Sequence, residues 1–363
     1  MNKYISQTLN LSEQAVANTL KLLVEGATIP FISRYRKEAT GGLDEVQIAA
    51  IDTARKKLLE LDKRKETVLA TIEEQGKITD ELRARIAGCM DATELEDIYL
   101  PYKPKRRTRA EVARTKGLEP LAKMLMAQNS NGVESMAMRF VMGEVKNTDE
   151  ALQGARDIIA ETISDDAEMR RRLRAFYLKE AMVSSEQIAD SKDEKGVFAM
   201  YYAFEELVRK IPGHRILALN RGEAEEILRV KIKVDESAAV AILEKAYVKN
   251  DSKSAEQVSA AAADAFDRLI DPSMEREIRN TMSERAQEQA MGVFSVNLRH
   301  MLMPPPIKDM VTLGLDPAYR TGCKIAVVDA TGKVLDTTVV YPTPPQNKTE
   351  EAKVKLKALI KKH

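Results

Sequence analysis

The sequence predicts a mainly α-helical, multidomain chain with helix-turn-helix-like elements and a long connecting helix, followed by the start of a small α/β domain. Three observations carry this expectation. Apolar residues recur at three-and-four spacing nearly throughout the first 303 residues, the mark of helices with one buried face. Turn signals are sparse within that stretch, and no proline interrupts residues 273–303. After residue 309 the pattern changes to short β-branched runs separated by tight-turn residues.

The first element is "NLSEQAVANTLKLLVEG", with Val16, Leu20, Leu23 and Val24 on one face and Gly26 placed to end it left-handed. Pro30 suits the first turn of the next helix, which "ATGG" at 39–42 closes. A long amphipathic helix then runs to Gly76, and Thr79 opens a shorter one. Two prolines bound a basic stretch between Leu100 and Gly117 and are expected to hold it extended. Thr148 with Asp149 and Glu150 starts another helix, and Ser164–Asp165 caps the next. Leu228 to Val234 alternates and reads as a strand. From Pro272 to about Met303 a single helix of roughly 45 Å is expected at 1.5 Å per residue. Its methionines (Met274, Met282, Met291, Met301 and Met303) read as core filler. Val311–Leu315, Ile325–Val328 and Val334–Tyr341 are strands, the last two joined by "ATGK", and a helix capped near Asn347 or Thr349 follows. This gives three expected divisions, 1–195, 196–306 and 309–363. A three-stranded meander followed by a helix opens the ribonuclease-H-like fold and each half of the actin-like ATPase fold. Both require a further parallel strand, so the chain is expected to be a piece of a longer protein, cut inside its last domain.

Fifty-seven Lys and Arg balance 56 Asp and Glu, for a net charge of +1, so any polyanion-binding surface must be a local patch. Two cysteines, Cys89 and Cys323, make no disulfide framework. With His214, His300 and His363 they offer no metal-ligand spacing, and no cofactor is expected. No signal peptide or membrane-length apolar run appears, which leads to the expectation of a cytoplasmic protein without a membrane partner. P-loop, GxGxxG and Ser/His/Asp patterns are missing as well.

The densest positive cluster lies between Pro101 and Lys116: Lys103, Lys105, Arg106, Arg107, Arg109, Arg114 and Lys116 against the single acid Glu111, beside Tyr99 and Tyr102. Clustered cations bind phosphates by releasing counterions, and flat side chains stack on unpaired bases. The alternative is a solvated loop, or one paired with Glu94, Glu96 and Asp97 upstream. A second, looser candidate is Arg34, Arg36 and Lys37 on a short helix across a turn from another, compatible with helix-turn-helix geometry. Two helices joined by a turn are common in any helical protein, so this cluster is the weaker reader of bases and stands as a second phosphate-contacting surface. Asp316, at the end of the first strand of the α/β region, occupies the place of a metal-binding acid in ribonuclease-H-like nucleases or of a phosphate clasp in ATPases. It is equally compatible with a turn cap.

Several blocks resemble one family: "GATIPFISRYRKEATGGLDEVQ", "LEDIYLPYKPKRRTRAEVARTKGLEPLA", "KIPGHRILALNRGE", and "LGLDPAYRTGCKIAVVD" with "YPTPPQN". Together they look like the bacterial Tex family of transcription accessory proteins, from residue 26 to residue 347. The resemblance implies a YqgF-type domain of ribonuclease-H-like fold at the end of the chain. In complete members helix-hairpin-helix elements and an OB-fold RNA-binding domain follow. A eukaryotic elongation factor is a distant relative in architecture. It also implies nucleic-acid binding, to RNA, single strands or DNA, linked to the transcription machinery. Related sequences carry Gly at position 318, where this chain has Ala. Arg320 and Gly322 match the YqgF-like pattern, while Ala318 and Tyr319 depart from it. A two-metal phosphodiesterase needs several converging carboxylates, so Asp316 is expected to be vestigial and the protein to be no enzyme. The alternatives are a metal-dependent nuclease whose other acids lie beyond residue 363, and a protein-interaction module of the transcription machinery.

Overall fold

Local sequence rules set most helix ends. The computed structural model describes residues 1–104, 107–304, 309–318 and 320–363. The chain divides into two units, Met1–Glu288 and Gln289–His363. The first unit holds two hydrophobic cores.

The core nearer the N-terminus gathers around a helix at Glu45–Glu74. Asp44 starts it with a capping box: its carboxylate accepts the Gln47 N–H at 2.7 Å, and its own N–H donates to Gln47 Oε1 at 3.0 Å. The face this presents buries Ile48, Ile51, Leu58, Leu61, Val68 and Ile72 against Ile5, Val16, Leu20, Ile32 and Leu95. Gly26 ends the helix Glu13–Val24 at φ 88°, as expected. The segment read as one helix up to "ATGG" is two, Ile29–Tyr35 and Lys37–Thr40, because Arg36 (φ −132°, ψ 29°) leaves helical geometry between them.

The second core runs from Ala110 to Ala286. Its axis is the helix Thr148–Ser164, capped by Asn147 and buried on nearly every side, including Ala151, Gly154, Ala155, Ile158 and Ile159. Against this core lies a three-stranded antiparallel sheet, β1 (Met182–Gln187), β2 (Ala203–Leu207) and β3 (Leu228–Lys233), in the order β2-β1-β3. The expected division at 195/196 falls inside this sheet. β3 is the strand read from its alternation. β1 and β2 escape that signal because "MVSSEQ" and "AFEEL" are half polar. The buried hydroxyls of Ser184 and Ser185 donate to the Lys231 and Tyr201 carbonyls, at 3.5 and 2.6 Å.

A helix at Lys253–Ala265 passes through a π-turn at Phe266–Ile270 into a continuous helix at Asp271–Leu302. Met274 and Met282 fill the core of the first unit. Met291, Met301 and Met303 do not: they are exposed, on a stretch from 289 whose described side chains all face solvent.

In the second unit β4 (Thr312–Asp316), β5 (Cys323–Val328) and β6 (Val334–Val340) form an antiparallel meander. The helix Thr349–Lys362 packs on one face of it and closes a core of Cys323, Ile325, Val327, Val340, Ala352 and Leu359. Neither Asn347 nor Thr349 caps that helix by side chain. Asn347 is left-handed at φ 52°, and the Thr349 hydroxyl donates back to the Pro342 carbonyl at 3.1 Å. The expected class, a helical multidomain chain followed by a small α/β start, is the class observed.

Candidate nucleic-acid interface

Both ends of the basic stretch are helical, while Lys103 and Thr108 between them have extended backbone. Pro101 sits in a 3-10 turn at Leu100–Tyr102, and Thr108 caps a helix at Arg109–Thr115. That helix packs on the axial helix of the second core. The axial helix presents Glu150, Gln153, Asp157 and Glu161 along one side, at three-and-four spacing. Glu161 takes Arg114 at 2.5 Å and the Thr108 hydroxyl at 3.1 Å, and Glu150 takes Lys116 at 2.7 Å. Asp157 is pushed up from the usual carboxylate range by burial, which Gln153 and the Arg268 charge partly offset.

Arg114 and Lys116 are therefore neutralised by the fold. The expected partners upstream are engaged elsewhere. Glu96 pairs with Arg64 at 2.6 Å, Asp97 with Arg170 and Arg174 at 2.8 Å each, and Glu94 faces the Cys89 thiol. Lys103, Arg107 and Arg109 remain exposed and form no ion pair among the described residues. Lys105 and Arg106 lie outside the described residues. Beside this segment opens a cleft of about 980 Å³ whose lining includes Lys77, Tyr102, Lys103 and Arg114 but also Glu111, Glu119, Glu161, Asp165 and Asp166. Of the exposed cations, Lys103 lines this cleft, while Arg107 and Arg109 lie outside its lining.

Arg34, Arg36 and Lys37 are all exposed and form no ion pair among the described residues. They do not share one helix: Arg34 lies on Ile29–Tyr35, Arg36 is the break, and Lys37 begins the next turn. Sequence reasoning singled out these cations and passed over the rings among them. Phe31 and Tyr35, 39% and 66% exposed, lie 5.5 Å apart, and the Arg36 guanidinium sits 5.3 Å from the Phe31 ring. Two aromatics four residues apart in "PFISRYRK" were the available signal.

Asp316 ends the edge strand β4, exposed, and pairs in register with Lys324. It borders a shallow pocket of about 700 Å³ lined otherwise by Gly314, Leu315, Lys324, Ile325, Ala326, Thr337, Thr338 and Val339, with no second acid among the described residues. The carboxylates of the following strands serve the fold. Asp329 accepts the N–H groups of Thr331 and Lys333 and the Thr331 hydroxyl, tying the hairpin turn. Asp336 takes Lys362 at 2.7 Å and His363 at 3.2 Å from the closing helix, which hold its carboxyl down to about 2. Gly322 (φ 79°) is required by packing, since an added Cβ would stand 2.4 Å from the Tyr341 ring. Among the described residues no group of three or more His, Cys, Asp or Glu is placed to hold a metal, and no helix is long and apolar enough to cross a membrane.

The sequence matches three family models in order: the Tex-like protein N-terminal domain over residues 1–73, the Tex central region-like model over 128–294, and the Tex protein YqgF-like domain over 310–363. It is 44% identical over 369 residues to the uncharacterized protein YdcI of Bacillus subtilis, covering 100% of this chain and 51% of the relative. To the transcriptional accessory protein Tex of Neisseria gonorrhoeae it is 38% identical, covering 100% and 48%. It is 29% identical to the human S1 RNA-binding domain-containing protein 1, covering 98% and 37%. The chain thus spans about half the length, or less, of these curated relatives. With the N-terminal, central and YqgF-like models met in this order along one chain, it belongs to the Tex family.

Proposed function

We propose that the chain is a nucleic-acid-binding scaffold, acting on RNA or other single strands as a transcription accessory factor in the cytoplasm, and that it carries out no catalysis. One observation carries this: in a chain of net charge +1, Lys103, Arg107 and Arg109 stand exposed and form no ion pair among the described residues, whereas Arg114 and Lys116 of the same segment are neutralised by Glu161 and Glu150. The names of two relatives support it, one a transcriptional accessory protein and one an S1 RNA-binding domain-containing protein. The test is the salt dependence of single-strand binding. Replacing Lys103, Arg107 and Arg109 together by Ala is expected to weaken binding and flatten the slope of log K against log salt by about two, at roughly 0.7 counterion released per neutralised phosphate. An unchanged slope would remove this segment from the interface.

The non-catalytic part is supported by Asp316, which pairs in register with Lys324 and shares its pocket with no other carboxylate among the described residues. A two-metal phosphodiesterase needs several. Full-length protein incubated with single-stranded and branched substrates plus Mg²⁺ or Mn²⁺ is expected to leave them intact. Cleavage that disappears in Asp316→Asn would make the protein a nuclease.

A further inference from the structure

We propose that Phe31 and Tyr35 form a base-stacking platform for single-stranded nucleic acid, with Arg34, Arg36 and Lys37 holding the adjoining phosphates. This rests on the nucleic-acid-binding function proposed above and adds to it a second contact of different chemistry.

The helix Ile29–Tyr35 is pinned to the core by Ile32 and Ser33, 0% and 8% exposed. Thr28 fixes its start, accepting the Phe31 N–H through its side chain, and Pro30 sits in its first turn. Rings four residues apart on such a helix are neighbours. Phe31 and Tyr35 accordingly meet at 5.5 Å with planes inclined at 43°, and both stay in water. Aromatic side chains gain more than most from burial, so a rigidly held, exposed pair is a surface suited to a flat partner.

The charges around the rings choose among flat partners. From Ile29 to Thr40 the segment carries three cations and one acid, Glu38, a local net of +2. Arg36 already stacks over Phe31 and also donates to the Tyr35 carbonyl at 3.3 Å, which leaves Tyr35 the more open ring. A ligand that brings a π-face and a negative charge within one repeating unit fits this arrangement, and an unpaired nucleotide is such a unit. A duplex does not present its base faces and cannot use the rings.

The test compares a fluorescein-labelled oligoadenylate with an abasic strand of the same length, at one salt concentration, on the whole 363-residue chain. Tyr35→Ala is expected to weaken oligoadenylate binding about tenfold and to leave the abasic strand unaffected, because stacking alone is removed. Phe31→Ala with Tyr35→Ala should weaken it further. Tyr35→Trp should retain binding, and circular dichroism should show the wild-type helical content in each variant. The slope against salt should not change, since no charge is lost. Equal loss on both strands, or oligoadenylate binding that survives the double substitution, overturns the platform and leaves the rings to a protein partner. Wild-type protein that binds neither strand overturns the nucleic-acid function as well, so the two failures are distinguishable.

Discussion

Asp97 shows what a single residue can decide in this chain. Its carboxylate is buried between Arg170 and Arg174, whose guanidiniums also reach Ser273 and Glu277 of the long helix. One carboxylate thus ties the N-terminal core to the second core. Its partners lie 73 and 77 residues away, a separation that no local pattern encodes, which is why the sequence suggested a neighbouring basic segment instead. Asp97→Ala leaves buried guanidinium charge short of a partner and is expected to destabilise the first unit by about 3–5 kcal/mol in chemical denaturation. Two tyrosines offer a pH readout. The Tyr177 hydroxyl donates to Asp271 and that of Tyr247 to Asp166, and burial beside those carboxylates raises both phenols well above the ordinary value of 10.0. A raised folded pKa favours the neutral phenol. The stability it contributes is complete below about pH 10 and drains away as pH rises past the unfolded value. With ten tyrosines and no tryptophan, tyrosinate absorbance is clean. It is expected to rise in two phases, the later one coinciding with unfolding by circular dichroism and shrinking in Tyr247→Phe.

Among the elements, helices were legible and polar strands were not. Capping residues and three-and-four spacing are local, so Gly26, Thr79 and Thr148 mark ends that the structure keeps or shifts by a residue or two. β1 is a strand because β2 and β3 flank it, a tertiary cause that overrides the composition of "MVSSEQ". Two helical glycines separate propensity from packing. At Gly154 an added Cβ would lie 2.4 Å from Leu118 Cδ1 and 3.2 Å from Ala113 Cβ, both buried; at Gly292 nothing lies within 4 Å. Gly154→Ala is therefore expected to lose about 1–3 kcal/mol to overpacking despite alanine's better helix propensity. Gly292→Ala, in the middle of a continuous helix, should gain up to about 1 kcal/mol of helix stability. Thermal unfolding of the two variants should move in opposite directions, and a stabilised Gly154→Ala would show that Leu118 has room to move.

For the molecule as a whole, stability is divided unequally between the two units. Among the described residues the first contains two cores with dozens of buried apolar side chains, and the second is closed by six. A small core buries too little apolar surface to offset much chain entropy, so the second unit is expected to open at lower denaturant. The sequence holds a built-in reporter of this, for its two cysteines fall one in each unit: Cys89, 4% exposed, in the first and Cys323, 6% exposed, in the second. Burial and the nearby Glu94 carboxylate push the Cys89 thiol up, and its Sγ donates to the Asp91 carbonyl at 3.0 Å, so it reacts only once its core opens. Labelling with a thiol reagent across a urea series should release Cys323 first and Cys89 at a distinctly higher midpoint, with Cys89→Ser and Cys323→Ser assigning the two steps. A shared midpoint would mean that the small unit borrows its stability from the larger one and that the chain unfolds as a single cooperative body.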